Sequence, residues 1–337
     1  MKKAVVRQAL PVILAAGLLW YVLKDIPLAE LGAQFRQANY RWLIVVGLVI
    51  SLYHLTRAAR WQLTLQALGY RPSLFRTTVA LLAGTMASMI IPGAGELTRC
   101  GTLQRTDDIP IAQGLGSVVA ERVIDLLMLG VLIGLTLFLE FKRVGQYIAD
   151  LLTPTLTRIT SGGQSRPILI GLLVIIVLLT GIGYGLFNNQ SFRQHPLAKR
   201  IGAIGRNVGT GFLAIRKLKQ PGLFIGLTLA GYLLAFLTTY ILFFASTQTR
   251  AFPPSAALTI LTVSSLGGIA VPTQGGMGTY HFLVSRVLML YGMNKTASVV
   301  LATFFHAAQT GFSLLFSSLS FLLIPILIQR KVSKRIS

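Results

Sequence analysis

Acidic residues are scarce in this chain: nine Asp and Glu stand against 31 Lys and Arg in 337 residues. A metal-assisted enzyme needs a carboxylate cluster in an aqueous loop, and only Asp107-Asp108 comes close to one. The single cysteine, Cys100, excludes an internal disulfide and a thiolate metal cluster. No His, Asp and Glu stand at metal-ligand spacing, so neither a metal nor a cofactor is expected. No glycine-rich loop is followed by Lys-Ser/Thr, which leaves ATP-driven transport without support. Long polar stretches are missing too. The chain has no room for a separate catalytic domain, and one membrane domain over residues 1–337 is the expectation, with no enzyme activity.

What is present is apolar: 53% of residues are hydrophobic and 12% charged, and the mean hydropathy is +0.69. That composition belongs to a polytopic membrane protein. A net charge of +22 would suggest nucleic acid in a soluble protein. Here the positives lie between apolar runs, so they read as the positive-inside pattern and as partners for anionic headgroups; no nucleic-acid partner is expected. Residues 188–221 carry seven Lys and Arg and no acid, which marks a basic cytoplasmic loop.

Full spans are expected near residues 8–23, 42–61, 112–139, 167–187, 222–245 and 297–324, with a polar linker at 24–41. Residues 1–23 resemble a signal peptide but lack a small-x-small cleavage site, so a retained first helix is expected. Trp42 and Trp61 bracket the second span as aromatic anchors would, and Arg57 and Arg60 near its end are expected to snorkel to water. His54 is expected at an interface. Gly130 and Gly134 form a close-packing pattern on the third span, or a chance one in a glycine-rich chain.

Two apolar runs, 79–91 and 256–271, are too short to cross a bilayer. The first ends in Pro92-Gly93-Ala94-Gly95-Glu96-Leu97-Thr98-Arg99, the second in Pro272-Thr273-Gln274-Gly275-Gly276-Met277-Gly278. Pro92, Gly93, Gly95, Pro272 and Gly278 are the expected breaks. Backbone interrupted at membrane depth survives only inside protein or beside a wet cavity. With all acid-free basic stretches cytoplasmic, the charges require six spans plus two re-entrant hairpins that enter from opposite sides. A weak internal match supports this: Val118-Val119-Ala120 and Val299-Val300-Leu301 follow their prolines at nearly equal distance, aligning Asp125 with His306 and Gly130 with Gly311. The expected fold is therefore all-α, with inverted repeats at about 42–187 and 222–328.

Polar residues in the spans are the candidate site. Glu121 and Asp125 share one helix face, and Arg122 can pair with Asp125 at i, i+3. They lie roughly 13–20 Å along their helix, at membrane depth. A buried Glu121–Arg122–Asp125 network, with Arg99, could equally serve to lock helices. Glu96 and Arg99 follow the first break, where helix N–H groups and a guanidinium suit a phosphate, or a capping carboxylate and a solvated Arg suffice. Gly275 and Gly276 could cradle an anion. His281, Arg286 and His306 are the polar residues of the second half, either proton-linked or merely hydrogen-bonded. Phe304, Phe305 and Phe312 read as packing or lipid-facing groups.

Taken in order, Arg57-x-x-Arg60-Trp61, Pro92-x-x-Gly95-Glu96-x-x-Arg99, Glu121-Arg122-x-x-Asp125 and Pro272-x-x-Gly275-Gly276-x-Gly278 resemble the transmembrane region of the lysylphosphatidylglycerol synthases, a flippase-like family. In that family the second break often reads Pro-x-Pro-Gly-Gly with an acid soon after; here Gln274 and His281 occupy those places. The resemblance implies a translocase for phospholipid derivatives or polyprenyl-linked lipids. No synthase domain follows, so the chain is not expected to make aminoacyl lipids. Arg99, with Arg60 or Arg122, would hold a headgroup phosphate. Glu96, Glu121 and Asp125 would bind a cationic headgroup or carry coupling protons, and Gly275, Gly276 and His281 would complete the substrate site. Glu121, Arg122, Asp125 and His306 would carry coupling to protons or to the membrane potential, which is worth about 2.3 kcal/mol per charge per 100 mV. A transporter of a water-soluble anion and a scaffold for a lipid-modifying enzyme remain as alternatives. The expected location is the cytoplasmic (inner) membrane of a prokaryote, multi-pass, with both termini cytoplasmic. Phospholipids are the expected partners, and homo-oligomers stay open.

Overall fold

The computed structural model describes residues 28–143, 218–271 and 273–336. The expected spans at 8–23 and 167–187, the loop 188–217 and Pro272 lie outside them. Residues 1–136 with 214–337 form one compact unit; residues 137–213 form another, in which Arg143 pairs with Glu140 at 3.0 Å.

The described secondary structure is entirely helical. A short helix α1 (Leu28–Gln37) leads to α2 (Tyr40–Ala67), α3 (Leu74–Ile90), α4 (Ala94–Asp107) and α5 (Ile111–Leu139). The second half repeats that order: α6 (Pro221–Phe244), α7 (Pro254–Ala270), a 3₁₀ turn (Gln274–Gly276), α8 (Thr279–Leu290) and α9 (Lys295–Ile336). α2, α5, α6 and the Lys295–Gln329 part of α9 are long and apolar enough to cross a membrane. α3 and α7 are apolar but only 17 residues each, and each turns into a second short helix.

The described residues form two cores, the second of which also takes in Ala38, Val46 and Ile50 from the first half. Trp61, Leu65, Leu103 and Ile109 centre the first; Phe243, Leu288, Phe304 and Phe305 centre the second. The expected linker is in part helical: Leu31, Phe35 and Ala38 recur at i, i+4, i+7, and Phe35 packs edge-on against Phe304 at 5.2 Å. Asn39 then caps α2 by accepting from the Arg41 N–H at 3.2 Å.

The first hairpin closes through glycine. α3 and α4 run against each other so closely that a Cβ on Gly84 would stand 2.6 Å from the Gly95 carbonyl oxygen, and one on Gly95 would collide with Ser88 Oγ and the Gly84 carbonyl. Gly93, at φ 81°, supplies the left-handed residue between the arms. Gly130 and Gly134, in contrast, meet nothing within 4 Å among the described residues, so the expected close-packing pattern on α5 is not used against any of them.

The hairpins open toward opposite ends of α9. Lys331 near its end donates to the Arg105 carbonyl at 3.0 Å and pairs with Asp108 at 2.8 Å, while Arg76 at the start of α3 pairs with Asp107 at 2.8 Å. The second hairpin instead runs straight into the start of α9. Thirty-odd helical residues, about 50 Å, separate the two ends.

Gly84→Ala or Gly95→Ala is expected to destabilise the purified protein by about 1–3 kcal/mol in thermal unfolding, because backbone must move to admit the methyl. Gly130→Ala is expected to change stability by less than about 1 kcal/mol, in the stabilising direction.

Candidate functional site

Glu121 faces inward from α5 and is 3% exposed. A carboxylate so placed persists as an anion only when paired and hydrogen-bonded. Its partners come from two other helices: Arg99 Nη1 of α4 at 3.0 Å and Arg60 Nε of α2 at 3.5 Å. Arg60 Nη2 also donates to Asp125 Oδ1 at 2.8 Å, and Arg122 sits 3.7 Å from Asp125 Oδ2 while bonding Glu96. The order Glu96, Arg122, Asp125, Arg60, Glu121, Arg99 is one alternating chain of six charges across α2, α4 and α5. Tyr232 of α6 extends it, its hydroxyl donating to the Asp125 carbonyl at 3.3 Å.

Arg60 therefore does not snorkel. The spacing of the two tryptophans suggested a last turn near Trp61, whereas α2 continues to Ala67 and buries Arg60 among acids. Trp61 is not an interfacial anchor either, being 0% exposed. Its indole N–H donates to Ser117 Oγ of α5 at 2.9 Å and its ring lies 4.6 Å from the Arg99 guanidinium carbon. It is the platform on which Arg99 stacks. His54 is likewise buried rather than interfacial, beside the Tyr53 ring.

The second break is held by neutral groups. His306 of α9 donates from Nε2 to the Gly275 carbonyl at 2.8 Å, and the Gly278 N–H donates to His281 Nδ1 at 3.3 Å. The two imidazoles stand 4.7 Å apart, edge to face. Gly275, Gly276 and Gly278 all have positive φ, which lets the chain turn tightly under His306. Among the described residues, neither histidine hydrogen-bonds to the acids of α5. Arg286 is exposed over the Phe282 ring, away from the break. Phe304 and Phe305 are packing groups, fully buried, and Phe312 fills the space beside Gly47.

Both breaks face one cavity of about 340 Å³, between Pro92, Gly93 and Glu96 on one side and Thr273, Gly275 and Gly276 on the other. Met89 at the end of α3 lies 3.8 Å from a Cβ position on Gly275, so the interruptions are neighbours in space. A second cavity of about 240 Å³ lies between α2, α5, α6 and α7. It begins at Asp125 and Tyr232 and continues along Leu129, Leu132, Leu227 and Leu261. Arg57 and Arg122 line both cavities. Sequence reasoning missed Arg57 as a site residue; its position three before Arg60, on the same helix face, was the available signal.

Such an arrangement can bind a charged group beside the breaks and an apolar chain next to it. Glu121→Ala is expected to cost about 3–5 kcal/mol, since it strands two buried guanidiniums. Asp125→Asn is expected to cost less, because that side chain is 24% exposed. Thermal unfolding of both variants in detergent checks the order.

No curated protein and no solved structure matches the chain. Residues 8–317 match the family described as the lysylphosphatidylglycerol synthase TM region, and this multi-pass membrane protein belongs to that family.

Proposed function

We propose that the chain is a lipid translocase rather than an enzyme, moving a phospholipid derivative or polyprenyl-linked lipid between leaflets of a prokaryotic inner membrane, with both termini in the cytoplasm. The observation that carries this reading is the junction of the two cavities. A charged chamber walled by both backbone breaks adjoins a leucine-lined space at Arg57 and Arg122. A headgroup fits the first and acyl chains fit the second, whereas a water-soluble anion has no use for the leucines.

On this reading α3–α4 and α7–α8 are re-entrant hairpins, six helices span the bilayer, and the halves at about 42–187 and 222–328 are inverted repeats. The repeated element order and the opposed hairpin openings support it. Alternating access then rocks one hairpin and afterwards the other about the chamber, a common plan for transporters with interrupted helices. The chain of ion pairs supplies the coupling, through Asp125 and Glu121, to protons or to the membrane potential.

The test is leaflet exchange of fluorescent-tailed phospholipids in proteoliposomes of the full chain. Wild type is expected to exchange them well above protein-free vesicles, and Asp125→Asn at least about tenfold more slowly, the loss of one charge-assisted hydrogen bond. Arg286→Gln, on the exposed face of α8, is expected to retain the wild-type rate. Wild-type exchange by Asp125→Asn, or none by wild type, would defeat the assignment.

A further inference from the structure

The charges around the chamber do not cancel, and the remainder says which lipid it fits, provided that the translocation reading holds. Glu121 is shared by Arg60 and Arg99, Asp125 by Arg60 and Arg122, and Glu96 is held by Arg122. Three carboxylates thus serve three arginines. Arg57 is the fourth arginine, partly buried where the cavities meet. Among the described residues no carboxylate lies at ion-pair distance from it, and its recorded contact is the Tyr53 ring, 5.6 Å from its guanidinium carbon. A second observation points the same way. Arg99, 4% exposed, lines the first cavity and leaves Nη2 buried without a hydrogen-bond partner.

A surplus guanidinium and an unused buried donor are each unfavourable in a membrane interior unless a ligand meets them. The complement is a group with one negative charge and two acceptor oxygens. A phosphodiester is such a group, and it leaves the existing ion pairs intact. A cationic headgroup would add a second uncompensated charge. The ammonium of a zwitterionic headgroup would need a free acid, and every acid of the chamber already has an arginine.

We propose that the chamber selects lipids whose headgroup carries one net negative charge on a phosphodiester. Arg57 is its anchor, Arg99 Nη2 its second donor, and the acyl chains lie along Leu129, Leu132 and Leu261. The shared chemistry, an oxyanion, could also come from free phosphate, and the experiment separates the two sources.

Purified full-length protein is titrated with fluorescent-tailed phosphatidylglycerol and phosphatidylcholine, with millimolar inorganic phosphate as competitor. Phosphatidylglycerol is expected to bind about tenfold more tightly or better, the scale of one charged hydrogen bond. Arg57→Gln is expected to erase that preference, Arg57→Lys to keep most of it, and inorganic phosphate to displace nothing. Equal affinities in wild type, or an undiminished preference in a folded Arg57→Gln, would overturn the proposal. Displacement by inorganic phosphate would overturn its lipid part and assign the site to a free oxyanion. Leaflet exchange without headgroup preference would overturn this inference alone. A binding preference without leaflet exchange would support it and overturn the translocation reading.

Discussion

Glu121 cannot remain an anion in an apolar bundle without Arg60 and Arg99, and those two arginines come from different helices on different sides of it. That requirement shapes the first half of the molecule. Among the described residues α5 meets α4 closely at Gly114, where a Cβ would stand 2.9 Å from Cys100 Sγ, and its Val118 joins the first core. The rest of the helix is tied by side-chain bridges: the ion pairs, Trp61 to Ser117, Tyr232 to Asp125, and Thr136 to Thr262 at 2.8 Å. The second cavity lies among α2, α5, α6 and α7, while the first is walled by the two hairpins and α2 and receives only Arg122 from α5. Small residues draw helices together in membranes; on α5 Gly114 does so against Cys100, whereas Gly130 and Gly134 meet no described residue within 4 Å.

The two halves meet a shared constraint by different chemistry. An interrupted helix leaves backbone donors and acceptors that hydrocarbon cannot satisfy. In the first half Gly84 and Gly95 press the arms together, and charged groups gather beside the break. In the second half the loop is satisfied by imidazole: His306 covers the Gly275 carbonyl, and His281 accepts from Gly278. One side of the chamber is therefore ionic and the other neutral. On the translocase reading proposed above, headgroup recognition would fall to α2, α4 and α5, and the second hairpin could move without separating ion pairs.

Which parts were legible beforehand follows from what each signal measures. Hydropathy and length identified the four described spans, because burying a helix in lipid constrains composition directly. The breaks at Pro92 and near Pro272 were legible because proline and glycine act on their own backbone. α1 was missed in a stretch read as linker, since its stability comes from Phe35 against Phe304, a contact across more than 260 positions. Trp61 and His54 were misplaced for the same reason. Their sequence positions fit an interface, and only the packing of α4 and α5 around α2 shows them buried.

By itself, then, the sequence determined the helical class, the short broken helices, the scarcity of acids and four members of the ion-pair chain, Glu121, Arg122, Asp125 and Arg99. These are local properties or matters of composition. Tertiary structure alone decided which arginine answers which carboxylate, that both breaks border one cavity, and that Arg57 is left over. Pairing depends on distances between helices far apart in the chain, and those distances are set by packing, which no single helix encodes.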